Sequence, residues 1–483
     1  MLVVVTFVVY AGLALLTPGL SSDGSYWQFR NVEQILDSGK PLFDDSLAWG
    51  GRGVVFSPVF AYIVAVPALL VGSMLAAKLM SGLIAAFLAF SVYFASVRLV
   101  KKEYAALLAA GISVISPSAV SFLFNQISPI GLAVPLLILS IGLVSDVKNE
   151  KILLTYIGCI AAAALLHPLT MLFAAGLLLV LVLKIAEKEL PSQAQMEISL
   201  FSALFVLWTE FVLYKRILLL HGASVLQRVP HELFLGDRAP LTVLGVIFSV
   251  GFVPIIAAII VCLRYVFSRL FTSSNIAISI LLILSTTLVI GVVSQNGVFF
   301  LGALCCVLFA VGFAQFVDFF SLTRLEHSTV LLVAIVVLLV LSVAIPGLDA
   351  LSQTRSFFSP AENDAIVWLA TNTPPMSTVV ALPIEGQRIN ALGLRKSVVD
   401  LMFESRVDSK ARALLVARVF SARTEIDVTS AMRELNADYV YVSPGARSLY
   451  GSLGRFQLFD CFHLVRDDVV QIFEKQESCR GVA

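Results

Sequence analysis

Long apolar stretches separated by short polar segments fill the first 346 residues of the chain. A helix that crosses a bilayer requires roughly 20 mostly apolar residues. The pattern predicts eleven spans, at 2–20, 77–99, 104–123, 128–146, 152–167, 168–184, 197–214, 241–262, 276–293, 298–318 and 328–346. A further apolar stretch, 55–75, contains Pro58, Pro67 and Gly72, and we interpret it as re-entrant or as lying at the membrane interface.

The pattern changes after Pro346. Residues 347–483 carry far more charge, and helical and strand-like stretches alternate along them. The expected elements are a helix at 361–371 behind Pro360, strands at 378–382, 397–399 and 438–442, a helix at 427–435, and a hairpin with arms at 462–465 and 469–473. The predicted fold class is a polytopic all-α transmembrane bundle over 1–346, followed by a small extracytoplasmic α/β domain over 347–483.

Composition favours a membrane protein. Of the 483 residues, 59% are hydrophobic and 13% are charged, whereas a soluble domain carries about 25% charged residues. The formal net charge of +1 argues against a nucleic-acid partner, because such a partner normally requires a basic face. Residues 1–20 have no basic region and no small-residue cleavage site, so we interpret them as the first transmembrane helix and not as a signal peptide.

Loop charge predicts the orientation of the spans. Lys and Arg recur in alternate loops, at Arg98, Lys101 and Lys102, at Lys148 and Lys151, at Lys184 and Lys188, at Arg264 and Arg269, and at Arg324. Loops 124–127 and 294–297 carry neither residue, so the positive-inside rule places the charged set in the cytoplasm. If 55–75 spanned the membrane, loop 21–76 would be cytoplasmic. With 55–75 re-entrant, that loop and the C-terminal domain are external and the N-terminus is cytoplasmic. We prefer the second topology, partly on the resemblance given below.

The first external loop, 21–76, holds the main candidate for chemistry. Apolar residues recur at helical spacing over 24–38, which predicts an amphipathic helix along the membrane surface that ends at Gly39. Asp23 stands directly before this helix. It is either the helix N-cap, or a carboxylate that takes the acceptor's proton or binds a divalent cation facing a leaving phosphate.

Other residues are weaker candidates for substrate binding. Tyr26 and Trp27 would shape a sugar or lipid face, although aromatic residues at this depth are also ordinary interface anchors. Asp44 and Asp45 are either accessory acids or solvated loop residues. His167, at the predicted external end of a span, is a pocket residue or a packing group.

Loop 215–240 is external in the preferred topology, yet it carries several cations. It is either a solvated loop or a contact for a lipid-linked phosphate through Arg228 and Arg238, because the Arg fork can donate two parallel hydrogen bonds. Cys461 and Cys479 lie in the polar tail, where they either pair or remain free thiols.

Several of these segments resemble the first external loop and the tail of GT-C fold glycosyltransferases. The resemblance is closest to the catalytic subunit of oligosaccharyltransferase in its archaeal and bacterial forms. It is carried by Asp23 to Arg30, Ile35 to Gly39, Phe43 to Asp45, Phe56 to Phe60, Glu362 to Pro374, Val379, Val380, Arg395, Asp400 and Asp438 to Val442. The middle of the chain matches only in hydropathy.

The resemblance implies a plasma-membrane glycosyltransferase with Asp23 as the catalytic base or a metal ligand. The expected partners are a polyprenyl-phosphate-linked sugar, membrane lipid, and a glycan, lipid or protein acceptor on the outer face. The implied cofactor is a divalent cation, Mg or Mn.

The chain departs from that family at two places. Ala381 to Gly386 stands where the family has a Trp-Trp-Asp-Tyr-Gly motif, and loop 124–127 lacks the family's second acidic motif. Two alternatives therefore stay open. One is a transporter or flippase of lipid-linked sugars, and the other is a non-catalytic assembly partner with the same fold.

Overall fold

The computed structural model describes residues 1–54, 57–144, 147, 149–186, 193–221, 242–267, 295–322, 329–356, 358–402, 408–451 and 453–476. The chain divides into two compact units. Unit 1 comprises Met1–Thr17, Ala77–Leu213 and Pro240–Arg355, and unit 2 comprises Pro18–Ala76, Tyr214–Ala239 and Ser356–Ala483. The first loop therefore belongs to the same unit as the C-terminal segment.

Most of the described residues are helical. The helices are α1 Leu2–Leu15, α2 Asp23–Ser38, α3 Val59–Val71, α4 Ser73–Val100, α5 Glu103–Ile115, α6 Pro117–Leu123, α7 Pro129–Leu143, α8 Glu150–Leu166, α9 Thr170–Ala186, α10 Gln193–His221, α11 Val243–Val250, α12 Phe252–Phe267, α13 Gln295–Ser321, α14 Thr329–Ser356, α15 Pro360–Asn372, α16 Gly386–Leu392, α17 Ser409–Ser421, α18 Glu425–Glu434 and α19 Pro444–Tyr450.

Several of these helices are long and apolar enough to cross a membrane. Within the described ranges there are four, in α4, α10, α13 and α14, or up to six if two bent pairs each count as one span. This agrees with a multi-pass membrane protein. The predicted span at 276–293 lies outside the described residues, and the total of eleven spans stays a prediction.

Two predicted spans are each broken into a pair of helices. The span at 104–123 bends by 57° between α5 and α6, because the residue before a proline is disfavoured in the helical conformation and Ser116 precedes Pro117. Ser116 is extended, and its side chain caps α6 by accepting the N–H of Ala119. The span at 241–262 bends by 103° between α11 and α12, where Gly251 has a φ of +101°.

The helix α13 lies at the centre of unit 1. Every residue from Gly297 to Val311 is buried. A helix that is apolar on all sides must be surrounded by other helices or by lipid. Close packing is visible at Gly302, where an added Cβ would lie 2.7 Å from the Ser118 Oγ.

Unit 2 is built on a five-stranded mixed sheet. Its strands are β3 Thr378–Val380, β4 Lys396–Ser397, β5 Tyr439–Val442, β6 Phe462–Asp467 and β7 Gln471–Lys475, while a separate two-stranded ladder joins β1 Asp44–Asp45 to β2 Arg52–Gly53. The sheet order is β4-β3-β5-β7-β6. The strands β4, β3 and β5 are parallel, and β7 pairs antiparallel with both β5 and β6.

Two apolar layers cover the sheet. One contains α17, α18 and Phe456, and the other contains residues of α15 such as Ile366 and Leu369. The strands and helices predicted after residue 360 are confirmed within a few residues at their ends. The predicted start of α15 is confirmed as well, because Ser359 and Glu362 form a capping box around Pro360.

Candidate functional site

Asp23 is the first residue of α2 and does not cap it. The N-cap is Ser22, whose side chain accepts the backbone N–H of Ser25 at 3.3 Å. The N-cap interpretation of Asp23 is therefore wrong for its own helix. The end of α2 is as predicted, because Gly39 adopts the left-handed conformation with a φ of +71°.

The Asp23 carboxylate instead caps α16, which lies far along the chain. One oxygen accepts the backbone N–H of Arg388 at 2.8 Å, and the other accepts that of Gln387 at 3.2 Å. These are the second and third residues of α16, whose own preceding residue, Glu385, provides no side-chain cap. Asp23 thus satisfies two N–H groups that a helix start leaves without partners.

Burial strongly affects the ionisation of Asp23. The residue is only 3% exposed. Burial raises the pKa of Asp23 well above its usual value, the charge of Asp400 adds to this, and the two N–H donors and the Arg388 charge oppose it. A raised pKa makes the ionised carboxylate a stronger base.

Arg388 carries a positive charge into the same buried region. Its side chain is fully buried, with the guanidinium carbon 3.7 Å from the centre of the Phe358 ring and one nitrogen 4.0 Å from the Glu362 carboxylate. Among the described residues its side-chain nitrogens make no hydrogen bond of ordinary geometry, although the Tyr441 hydroxyl lies near the guanidinium. Buried polar groups are nearly always paired. The N–H groups of this guanidinium are therefore available as donors to an added acceptor.

A second buried acid, Glu385, is close enough to Arg388 for their charges to interact. The Glu385 carboxylate accepts the N–H of Leu382 at 3.1 Å and a hydrogen bond from the Ser443 hydroxyl. Burial raises the pKa of Glu385 to about 7, although those hydrogen bonds and the charge of Arg388 oppose the shift. Arg388 therefore interacts with two acids, Asp23 and Glu385, whose pKa values burial raises.

Tyr26 fixes the chain just before α2. It is fully buried, and its hydroxyl accepts the N–H of Leu20 at 3.1 Å. An added Cβ on Gly19 would lie 2.5 Å from that hydroxyl, and Gly19 has a φ of +67°. Tyr26 thus holds the entry to α2. Its predicted contact with a sugar or lipid is not tested by this geometry.

Asp45 is the centre of a buried ion-pair network. Arg30 donates two hydrogen bonds to its carboxylate, at 2.7 and 3.2 Å, and Arg52 donates a third at 3.0 Å. Arg52 also pairs with Asp400 at 2.7 Å, and Arg30 donates to the Gln387 side chain at 3.2 Å. Burial would raise the pKa of Asp45, but the two guanidinium groups outweigh it and hold this pKa below its usual value.

Trp27 and Asp44 occupy different environments. Trp27 is buried, and the guanidinium of Arg52 lies 5.4 Å from the centre of its ring. Asp44 is exposed at the start of β1, directly before the buried Asp45. The alternation follows from the strand, which points successive side chains to opposite faces.

The remaining predicted residues are His167, Arg228, Arg238 and the two cysteines of the tail. His167 belongs to unit 1 and follows α8, where its Nδ1 accepts the N–H of Leu169 at 3.1 Å. Arg228 and Arg238 lie outside the described residues, as does Cys479. Cys461 is disulfide-bonded.

The surroundings of Asp23 do not fit a divalent cation. Both of its oxygens face backbone N–H groups, and Arg388 adds positive charge. No group of three His, Cys, Asp or Glu side chains that could hold a metal occurs among the described residues. We therefore assign no step to a metal, and the predicted Mg or Mn ion stays a prediction.

Several features of the structure, Arg388 among them, were not predicted from the sequence. The contact between Asp23 and α16 uses backbone N–H groups, which leave no signal in the sequence. Glu210 could have been found, because a lone acid in a predicted span indicates a functional group. It lies on α10, is 1% exposed, and neither carboxylate oxygen has a hydrogen-bond partner within the described ranges.

No family model and no curated protein matches this chain. Solved structures share its fold. The archaeal oligosaccharyltransferase AglB from Archaeoglobus fulgidus, in complex with an inhibitory peptide and a dolichol-phosphate, is 13% identical with a TM-score of 0.68, over 99% of this chain and 74% of that chain. The same organism's oligosaccharyltransferase in complex with Zn and sulfate is 14% identical with a TM-score of 0.62, over 91% and 67%.

A second kind of enzyme is similar over its whole length. ArnT from Cupriavidus metallidurans, bound to undecaprenyl phosphate, is 12% identical with a TM-score of 0.57, over 100% of this chain and 99% of that chain. At such low identities the likeness establishes the fold alone. The predicted GT-C-like fold is confirmed, with its helical membrane part and C-terminal sheet.

Proposed function

We propose that this chain is a membrane glycosyltransferase. It moves a sugar from a polyprenyl-phosphate-linked donor to a glycan, lipid or protein acceptor on the outer face of the membrane. The GT-C-like fold supports the general class, and the solved structures that share it include complexes with dolichol-phosphate and undecaprenyl phosphate. The observation that carries the proposal is the buried Asp23 carboxyl, which follows α1 along the chain, accepts the backbone N–H of Arg388 and interacts with the Arg388 charge.

The two groups suit the two halves of the reaction. As the acceptor attacks the anomeric carbon, it loses a proton, and Asp23 takes that proton. As the glycosidic bond breaks, the phosphate leaves with both bonding electrons, and the Arg388 guanidinium offers donors to the phosphate oxygens.

The first turn of α16 must move for this chemistry to occur. In the structure both oxygens of Asp23 are occupied by N–H groups of α16. Arg388 belongs to the same turn and is fully buried. Withdrawal of that turn therefore frees the carboxylate and exposes the guanidinium in one movement.

The topology belongs to this proposal too. We keep eleven spans, a transmembrane domain over 1–346, an external domain over 347–483 and a cytoplasmic N-terminus. The grouping of Pro18–Ala76 with Ser356–Ala483 supports placing loop 21–76 and the C-terminal domain on the same side of the membrane. The disulfide at Cys461 supports an oxidising, external compartment for that side.

A second candidate function is a non-catalytic assembly partner with the same fold. The occupied carboxylate of Asp23 favours it, because a base that is held by its own chain is not available to an acceptor. The departures from the oligosaccharyltransferase motifs at 381–386 and 124–127 point the same way.

Glycan transfer in membranes separates the two candidates. Membranes that contain the wild type, Asp23→Asn or Asp37→Asn are supplied with lipid-linked sugar and assayed for a new glycosidic bond. Asp37 is the matched control, because it is an exposed acid on the same helix. A base contributes roughly 10²–10⁴-fold, so Asp23→Asn is expected to lose at least about 100-fold while Asp37→Asn stays near wild type. Equal rates in all three would remove Asp23 from the mechanism, and no transfer by the wild type would favour the assembly partner.

A further inference from the structure

A small pocket opens beside Trp27 in unit 2. It lies between α2, the loop that follows it and the start of α3, and it has a volume of about 60 Å³. One water needs roughly 10–15 Å³ of such space, so the pocket has room for about four waters. That space accommodates one edge of a single sugar ring, with the rest of the ring outside.

Polar groups without partners line one side of this pocket. The indole N–H of Trp27 and the side-chain amide of Gln28 have no hydrogen-bond partner among the residues that the structure describes. Asn31, one turn further along α2, donates to the Trp27 carbonyl at 2.9 Å and also lines the pocket. Together they offer N–H donors and amide oxygens, the groups that bind hydroxyls.

An exposed aromatic ring forms the rim. Phe43 is 61% exposed, so its ring is accessible from solvent at the side of the pocket. The other apolar residues of the lining are Pro41, Leu42, Val54, Pro58 and Ala61. Polar and apolar groups contribute about equally to the lining, so the pocket suits a ligand that carries both kinds of surface.

We propose that this pocket binds one pyranose ring. The C–H face of the ring packs on Phe43, and its hydroxyls bond to the Gln28 amide and the Trp27 indole N–H. A prenyl chain fits less well, because it would cover both polar groups without offering them a hydrogen-bond partner.

The location gives the pocket a role in the proposed reaction. Asp23 and Trp27 are four residues apart on α2, so they are neighbours on one face of the helix. A sugar at Trp27 is therefore one helical turn from Asp23. This role depends on the proposed function, whereas the binding of a sugar does not. The sugar comes either from the donor or from a glycan acceptor, which have the same ring chemistry.

Binding is measured on the full chain in detergent by saturation-transfer NMR. The probes are free glucose, mannose, galactose and N-acetylglucosamine, with undecaprenyl phosphate as a probe that carries no sugar. The variants are Gln28→Ala and Phe43→Ala, and the controls are Phe43→Trp and Gln34→Ala, an α2 residue that lies outside the pocket. Phe43 is exposed, so its substitution is expected to leave the fold intact.

At least one monosaccharide is expected to bind the wild type, with its affinity lowered roughly tenfold in Gln28→Ala and Phe43→Ala and kept in both controls. Equal saccharide binding by all variants, or displacement of the saccharide signal by undecaprenyl phosphate alone, would overturn the proposal. The absence of a signal from all four monosaccharides would overturn it too.

Kinetics identify the source of the sugar. If the wild type transfers sugar, Gln28→Ala raises the KM for the donor when the pocket holds the donor sugar, and the KM for the acceptor when it holds the acceptor glycan. Unchanged KM values for both would contradict a role in transfer. If the wild type transfers nothing, the proposed function fails, and the NMR result still decides whether the pocket binds a sugar.

Discussion

The Oδ1 atom of Asp23 accepts the backbone N–H of Arg388 at 2.8 Å, although 365 positions separate the two residues. This bond and its neighbour to Gln387 join the first loop to the C-terminal segment of unit 2. A carboxylate at a helix start interacts favourably with the unpaired N–H groups and with the helix dipole. Asp23 therefore holds α16 in place, whatever its part in chemistry.

Removal of the Asp23 side chain is expected to loosen the start of α16. In Asp23→Ala, the N–H groups of Gln387 and Arg388 lose their acceptors, and loss of a cap costs about 0.5–2 kcal/mol. Hydrogen exchange followed by mass spectrometry should show those two amides exchanging roughly 2–30-fold faster. Asp37→Ala, an exposed change on the same helix, is the control. Unchanged protection of both amides would show that the contact contributes nothing to α16.

Gly386 is expected to be essential for the position of α16. An added Cβ there would lie 2.2 Å from the Val399 carbonyl oxygen and 2.7 Å from the Asp400 Cβ. Gly386→Ala therefore forces α16 away from these atoms, and the amides of Gln387 and Arg388 should lose protection even with Asp23 intact.

Gly24 is the matched position for that test. It is helical, and an added Cβ would meet nothing within 4 Å. Gly24→Ala should be neutral, or stabilising by about 0.5–1 kcal/mol, because Ala loses less backbone freedom in a helix. Equal behaviour of Gly386→Ala and Gly24→Ala in hydrogen exchange would contradict the close packing at α16.

Local sequence signals predicted most elements of unit 2, because each signal acts within a few residues. Pro360 marks the start of a helix through its fixed φ angle, and Gly39 marks the end of one through its left-handed backbone. The Asp438 to Val442 run has the β-branched and aromatic residues of a strand.

Long-range contacts could not be predicted in the same way. Ser22 and Asp23 are both good N-cap residues, and only the approach of α16 gives Asp23 a different partner. Asp45 was interpreted as either an accessory acid or a solvated residue, and its sequence neighbours do not reveal that Arg30 and Arg52 meet it. Such pairings depend on how the chain returns to the first loop.

We expect the buried Asp45 to contribute more to the stability of unit 2 than the exposed Asp44 does. Asp45→Asn leaves two buried guanidinium groups without their shared counter-charge, and breaking a buried pair costs about 3–5 kcal/mol. Asp44→Asn changes an exposed acid and should remain within about 0.5 kcal/mol of wild type. Hydrogen exchange of the β5 amides, measured on the full chain, reports the opening of unit 2. Similar β5 protection in both variants would mean that the network is not required for the fold.

The stability of unit 2 is expected to fall as pH rises from about 5 to 7. Burial raises the pKa of Glu385 to about 7, against 4.5 in an unfolded chain. A raised pKa means that the folded state binds the proton more tightly, so the stabilisation is full below pH 4.5 and is lost as pH rises through 7. The total is roughly 3 kcal/mol, since each pKa unit corresponds to about 1.4 kcal/mol.

Glu385→Gln keeps an acceptor for the Leu382 N–H and removes the titration. In this variant, the protection of the β5 amides against hydrogen exchange should therefore fall much less between pH 5 and 7 than in the wild type. The comparison is made after correction for the intrinsic exchange rate. Some slope remains, because burial raises the pKa of Asp23 in the same direction. Glu434→Gln, on an exposed residue, should follow the wild type. A wild-type protein whose β5 protection is independent of pH over this range would show that Glu385 is ionised without cost in the folded state, and that the raised pKa does not occur.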